Sequence, residues 1–231
     1  MNTLIMAKGE SLKRLNELDK YNIDECILVN GFRDELNMKF IWDYIKDKKI
    51  IHLMANQNNP PCYLHKRQYQ KLNLEYCIVN REKSNLKSYK IKYNVNDHPA
   101  KIAVESYDIG IEVKYLPEDI QKGGYIDEIK SLWASSGLLA LLYASWYLKR
   151  NPIYMIGQDF HENRYLVKKR RHNVSDDGWE LTYTAEMKNK MRNWMKYWVK
   201  KTPDTNYIII SNCLEETKNK IINGNKNVKF I

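Results

Sequence analysis

Short apolar runs alternate along the chain with segments whose apolar residues recur at helical spacing. Helical spacing is seen at Leu12, Leu15 and Leu18, and over residues 38–45, 126–150, 187–199 and 214–221. The strand-like runs are residues 4–7, 26–29, 50–54, 76–79, 153–156, 208–210 and 228–231. Strands of this length that alternate with helices are typical of a parallel sheet covered on both faces. The pattern predicts an α/β, Rossmann-like fold with a mostly parallel sheet and helices on both faces.

The segments between these elements add three expectations. Ser11 precedes the first leucine stripe and is expected to N-cap that helix. Residues 80–125 are polar and broken by Pro and Gly, and they yield no clear element. A polar stretch after the fifth predicted strand, residues 158–181, is expected to form a lid loop. No repeat or linker divides the chain, so we expect one domain over residues 1–231.

Composition narrows the class of protein. The 231 residues are 43% hydrophobic and 29% charged, which is ordinary for a globular domain. The longest apolar run, residues 138–148, is about half a membrane span and indicates a buried helix. The first residues lack the features of a signal peptide. The four cysteines are far apart, which favours reduced thiols, a cytoplasmic location and no zinc site.

The net charge of +10 leaves two interpretations open. It can reflect a lysine-rich solvated surface, or attraction to anions such as nucleotides, nucleic acid or the inner face of an anionic membrane. The stripe with Trp194, Tyr197 and Trp198 similarly allows a dimer face in a homo-oligomer, but core packing is the preferred interpretation.

Candidate chemistry lies where predicted strands end, because ligands bind at the carboxyl edge of such a sheet. Lys8, Gly9 and Ser11 follow the first strand, and Asn30 and Asn56 follow the second and third. Gly9 permits a close approach of the backbone to a phosphate, but a glycine turn is equally common for structural reasons. Single Asn residues at strand ends more often serve turns than bases.

Two further groups carry the strongest signals. Ser135, Ser136 and Gly137 begin the most apolar helix, where backbone N–H groups favour an anion. Gly157 and Asp159 follow the fifth predicted strand, where a carboxylate could hold a ribose, a sugar hydroxyl or a metal ion. His161 follows them, either as a ligand or as an ordinary loop histidine.

Four of these motifs, in this order, resemble a known family. They are Ala7-Lys8-Gly9-Glu10-Ser11-Leu12, Asn30, Ser135-Ser136-Gly137 and Gly157-Gln158-Asp159-Phe160. The chain is similar in them to the family-42 sialyltransferases and to the related DUF115 group of motility accessory factors. The resemblance spans most of the chain but not residues 60–125.

The resemblance implies an inverting glycosyltransferase that uses a nucleotide-sugar donor, CMP-linked by analogy, without a metal cofactor, and a glycan or other hydroxyl acceptor. Where that family has an arginine for sialic acid, this chain has Trp133, and the family's catalytic histidine is missing near Glu180. His172 or Glu180 is therefore the predicted catalytic base. The predicted nucleotide-binding residues are Lys8, Gly9, Ser11, Asn30, Asn56, Ser135, Ser136, Gly137, Gly157 and Asp159. The predicted contacts of the leaving phosphate are His161, Tyr165, Lys168, Arg170 and Arg171.

Two alternatives remain beside this prediction. Relatives in the DUF115 group include archaeal diphosphokinases, and such an activity would need Mg²⁺ with acidic ligands such as Asp159. The chain could also be a nucleotide- or nucleic-acid-binding module that has kept the fold without catalysis.

Overall fold

The computed structural model describes residues 1–54, 62–80, 98–117, 120, 135–160, 162, 165–167 and 184–231. Within them, eight strands form a single sheet in the order β5-β4-β3-β2-β1-β6-β7-β8, and each neighbouring pair is parallel. The predicted parallel α/β fold is therefore confirmed. The strands are β1 (Thr3–Met6), β2 (Glu25–Val29), β3 (Lys49–Met54), β4 (Leu74–Val79), β5 (Val113–Tyr115), β6 (Ile153–Ile156), β7 (Tyr207–Ile210) and β8 (Val228–Phe230).

The strand order reverses between β1 and β6. Ile5 of β1 pairs with Ile27 of β2 on one side and with Met155 of β6 on the other. The chain builds the sheet outward from β1 to β5, then returns to the far side of β1 and continues outward to β8. Such a reversal leaves a crevice outside the carboxyl ends of the two strands, which is where open parallel sheets bind ligands.

Six α-helices lie in the described residues: α1 (Lys39–Ile45), α2 (Lys66–Lys71), α3 (Pro99–Glu105), α4 (Ser136–Leu142), α5 (Ala185–Lys201) and α6 (Glu215–Ile222). A 3₁₀ helix, Glu10–Leu18, follows β1. Its repeat of about three residues per turn brings Leu12, Leu15 and Leu18 onto one buried side. The prediction that Ser11 caps this helix is wrong. Gly9 holds the cap position, and the Ser11 hydroxyl accepts a hydrogen bond from the Gly157 N–H instead.

The helix predicted over residues 126–150 is described from Ser136 onward; residues 126–134 lie outside the described part. The chain continues from α4 into a π-helical turn, Tyr143–Tyr147, and leaves it before β6. Ser135 caps α4 by accepting a hydrogen bond from the Leu138 N–H at 3.4 Å.

Alternate residues of β1 pack into two separate cores. Ile5 joins the cluster beneath α4 and α5, whereas Leu4 and Met6 join the cluster beneath the 3₁₀ helix, α1 and α2. Both faces of the sheet are therefore covered, as predicted. Trp194 and Trp198 of α5 are 1% and 2% exposed, so these two side chains pack in the core, as preferred in the sequence analysis.

The four cysteines, Cys26, Cys62, Cys77 and Cys213, are buried and form no disulfide. Burial raises the pKa of the Cys26 and Cys77 thiols to about 12, which keeps them protonated. Among the described helices, none combines the length and the apolar character needed to cross a membrane.

Candidate functional site

The loops that follow β1 and β6 are bonded to each other at the strand reversal. The Gly9 N–H donates to the Gly157 carbonyl at 2.8 Å, and the Gly157 N–H donates to the Ser11 hydroxyl at 2.9 Å. Gly157 has φ +77°, and a Cβ there would lie 2.3 Å from the Ala7 carbonyl oxygen. A Cβ on Gly9 would lie 2.4 Å from an oxygen of Asp159. Both glycines are thus required by the closeness of the two loops.

Asp159 ties together the loops after three strands. Its Oδ2 accepts from the Ser11 N–H at 3.0 Å, and its Oδ1 accepts from the Ser211 hydroxyl and the Asn212 N–H, both at 3.0 Å. The side chain is only 4% exposed. These bonds join the carboxyl ends of β1, β6 and β7 into one unit, which we call the Asp159 clamp (Gly9, Ser11, Gly157, Asp159 and Ser211).

Asn30 and Ser136 meet at the ends of β2 and α4. The Asn30 side-chain amide donates to the Ser136 hydroxyl at 2.7 Å, and its backbone N–H donates to the Leu53 carbonyl at 2.7 Å. Asn30 has φ +57°, the left-handed conformation that asparagine tolerates better than most residues. Asn30 therefore serves a turn and also holds the start of α4 against the sheet.

The rest of the Ser-Ser-Gly motif meets the loop after β6. The Ser135 hydroxyl donates to the Gln158 Oε1 at 3.4 Å, and a Cβ on Gly137 would lie 2.3 Å from that oxygen. The structure thus brings together the sequence-predicted residues Lys8, Gly9, Ser11, Asn30, Ser135, Ser136, Gly137, Gly157 and Asp159 at one edge of the sheet.

A cationic region accompanies these residues. Lys8 follows β1 with 8% of its surface exposed, and Arg33 follows β2. The pKa of His52 on β3 is lowered to about 4, chiefly by burial; a hydrogen bond to the Asn30 carbonyl opposes the shift, and the charges of Lys8 and Arg33 add to it. Both cations therefore lie close to the carboxyl ends of β1–β3, where a low-dielectric surrounding strengthens attraction to an anion.

His52 is a residue of the site that the sequence analysis missed. Its Nε2 lies 2.7 Å from the Asn30 carbonyl and its Nδ1 lies 2.9 Å from the Tyr69 hydroxyl. Since a carbonyl only accepts, Nε2 carries the proton and Nδ1 accepts from Tyr69. A lone histidine inside the apolar run of residues 50–54 was the available signal. Its buried, neutral ring fixes the turn at Asn30.

Glu162 anchors the chain beyond the Asp159 clamp. Its carboxylate accepts from the Leu214 N–H at 2.8 Å and the Thr217 hydroxyl at 2.5 Å, and it pairs with Arg192. The loop after β6 is thereby fastened to the start of α6 and to α5. A carboxylate at a helix start also suits the helix dipole.

Part of the predicted lid lies against the first loop. Tyr165 pairs with Gly9 in an antiparallel bridge, and the Leu166 N–H donates to the Lys8 carbonyl at 3.0 Å. The predicted role of Tyr165 toward a leaving phosphate stays a prediction. The other predicted residues, Asn56, His161, Lys168, Arg170, Arg171, His172 and Glu180, lie outside the described residues.

A metal site is not apparent in the described part of the chain, where no three His, Cys, Asp or Glu side chains are grouped to hold an ion. Comparison with family models, with curated proteins and with solved structures finds no match to this chain. The class that fold and site define is therefore a parallel α/β protein with a preorganised, cationic carboxyl edge at its strand reversal.

Proposed function

We propose that the chain is a nucleotide-sugar glycosyltransferase whose donor phosphates bind at the carboxyl edge between β1, β2 and β6. The observation that carries the proposal is the buried cation Lys8 at the strand reversal, on the same edge of the sheet as the bonded pair Asn30 and Ser136. The phosphate groups of a nucleotide are anions that such edges of α/β sheets bind. The resemblance to family-42 sialyltransferases adds a CMP-linked donor, a glycan acceptor and inverting displacement.

The hydrogen bonds of Asp159 favour this activity over a Mg²⁺-dependent diphosphokinase. Both carboxylate oxygens already accept hydrogen bonds from Ser11, Ser211 and Asn212. A magnesium ion prefers carboxylate oxygens in a strict octahedron and would have to displace these donors. Metal-independent transfer is therefore the activity that we favour, with a cytoplasmic location in keeping with four unpaired, buried thiols.

A thermal-shift series with CMP, CDP, UMP, UDP, GDP, ADP and ATP, each with and without Mg²⁺, tests the proposal. A ligand at ten times its Kd should stabilise the protein by about 1.4 kcal/mol, or roughly 3–5 °C for a domain of this size. We expect a shift with a cytidine nucleotide that does not need Mg²⁺. A shift that appears only with ATP and Mg²⁺ would favour the diphosphokinase instead.

Paired variants locate the site. Lys8→Met keeps the length of the side chain and removes its charge, and we expect at least a tenfold weaker nucleotide affinity, because a charge-assisted hydrogen bond contributes about 1.5–3 kcal/mol. Lys20→Met is the matched control, since Lys20 is exposed and lies over the Tyr21 ring away from this edge. Equal nucleotide affinities of the two variants would show that Lys8 does not contribute to the site. If the wild-type chain binds no nucleotide, the proposal is contradicted.

A further inference from the structure

A π-helical turn links α4 to β6 and turns two aromatic side chains outward. Residues Tyr143–Tyr147 form the turn, and Lys149 beyond it has φ +54°. The inner side of the turn is held by Ser145, whose hydroxyl donates to the Leu141 carbonyl at 2.7 Å and accepts from the indole of Trp198 at 2.8 Å. Such turns are often found at functional sites.

Trp146 and Tyr147 are exposed to a degree that is unusual for their size. Trp146 is 47% exposed and Tyr147 is 55% exposed. Both rings are nevertheless held in place: Trp146 meets Trp198 edge-on at 6.0 Å between ring centres, and Tyr147 stacks on Tyr143 at 5.2 Å. Two adjacent, oriented aromatic rings on the surface indicate a contact with something outside the chain.

Two lysines lie near these rings. The Lys149 Nζ lies 4.5 Å from the centre of the Trp146 ring. The Lys114 Nζ lies 4.4 Å from the centre of the Tyr76 ring, but Lys114 is paired with Glu112 at 3.0 Å, which offsets its charge. The patch is thus aromatic at its centre, with the positive charge of Lys149 at its rim.

We propose that this aromatic patch (Trp146, Tyr147 and Lys149) docks the protein onto the surface of an anionic phospholipid bilayer. Trp and Tyr are the side chains that favour the boundary between headgroups and acyl chains, and each nearby lysine adds attraction to an anionic surface. The inference is independent of the reaction proposed above.

The charge and shape of the patch favour this partner over others. A second copy of a chain with a net charge of +10 would be repelled from a cationic rim. Single-stranded nucleic acid is bound along basic grooves lined by stacked aromatic residues. Three clefts of about 790, 490 and 740 Å³ are lined by described residues, and neither Trp146 nor Tyr147 lines any of them. The two rings lie in the π-helical turn at the end of α4, where they can contact the flat surface of a bilayer.

Cosedimentation with vesicles tests the proposal. We expect the full chain to bind phosphatidylcholine vesicles that contain phosphatidylglycerol, to bind vesicles of phosphatidylcholine alone far more weakly, and to be released by salt. Replacing both rings, Trp146→Ser with Tyr147→Ser, should weaken binding at least tenfold, because about 100 Å² of lost apolar burial per ring is worth more than that. Lys149→Glu changes the charge by two units and should weaken binding about thirtyfold, because each unit of charge near the surface contributes about 1 kcal/mol.

Phe40→Ser is the matched control. Phe40 is 44% exposed on α1, away from the patch, and its replacement should leave vesicle binding unchanged. Tyr147→Ser alone keeps the test valid if the double variant unfolds, because Tyr147 is the more exposed ring. The proposal is overturned if the wild-type chain does not bind anionic vesicles, if Phe40→Ser weakens binding as much as the patch variants, or if single-stranded DNA, but not lipid, requires Trp146.

Discussion

Asp159 should contribute strongly to stability through the hydrogen bonds of its clamp. Asp159→Asn keeps the size of the side chain but leaves one accepting oxygen where two now serve three donors. The Ser211 hydroxyl can turn to the Gln158 carbonyl at 3.1 Å, so its loss is small. One backbone N–H, of Ser11 or of Asn212, is then left facing an amide NH₂.

An unsatisfied buried donor costs about 1–3 kcal/mol, and a bond to a charged acceptor is stronger than one to a neutral acceptor. We therefore expect Asp159→Asn to lower the free energy of unfolding by about 2–3 kcal/mol. Asp159→Ala removes the acceptor for both backbone donors and should cost about 3–5 kcal/mol. The order of the two losses follows from counting donors without an acceptor.

Urea unfolding followed by the fluorescence of the buried tryptophans measures these losses. Asp204→Asn is the control, since Asp204 is exposed in the loop before β7 and its change should stay within about 0.5 kcal/mol. A loss for Asp159→Asn no larger than that of the control would refute the clamp. So would an Asp159→Ala variant as stable as Asp159→Asn.

Other outcomes follow from the same edge of the sheet. Gly157→Ala should lower the free energy of unfolding by about 3 kcal/mol or more, and Gly110→Ala by about 1 kcal/mol. Both glycines have positive φ, but only Gly157 has backbone atoms where the Cβ would lie. Equal losses for the two variants in urea unfolding would contradict this reasoning. His52 has a folded pKa of about 4 against an ordinary 6.5, so the folded state binds fewer protons between these values and stability falls as the pH falls through this window. Between pH 7 and about 4.5 the loss from this group should be about 2 kcal/mol and be absent from His52→Gln, which unfolding midpoints at the two pH values would show. Glu162→Gln, which keeps the acceptor for Leu214 but loses the charge facing Arg192, should cost about 1–3 kcal/mol by urea unfolding; no change would mean that the ion pair is not needed to fasten the loop after β6 to α5.

The order of elements was predictable because buried parallel strands leave a plain signal. β1, β2 and β6 are buried at every residue, and apart from Thr3 and Glu25 at the starts of β1 and β2 they are continuous apolar runs. β5 left no such signal, since at the edge of the sheet Lys114 is exposed and Val113 and Tyr115 are only partly buried. An edge strand of three residues has too little buried surface to impose a pattern.

That the candidate residues lie at one edge of the sheet was predictable, but their contacts with one another were not. Gly157 and Asp159 were predicted as ligand contacts from their place after a strand. Their actual partners, Gly9 and Ser11, lie nearly 150 residues away in sequence. Local pattern carries no information about such pairings, because one hydrogen bond between distant loops leaves no periodicity. The catalytic roles of His172 and Glu180 remain predictions, because both residues lie outside the described part of the chain and only the resemblance suggests these roles.

The clamp divides the candidate site into residues that shape the edge and residues that face a ligand. The carboxylate of Asp159 is hydrogen-bonded to a neighbouring loop, and the backbone of that loop fills the space beside Gly157. Replacing either residue should therefore lower stability and nucleotide affinity together. Lys8 is a buried cation that we propose faces the donor phosphates, so Lys8→Met should weaken nucleotide binding and change the unfolding midpoint less than the clamp variants do. Measured side by side, the midpoint without ligand and the shift with a cytidine nucleotide separate the two roles. If Lys8→Met loses stability and keeps its shift, Lys8 belongs with the clamp and the donor phosphates must bind elsewhere.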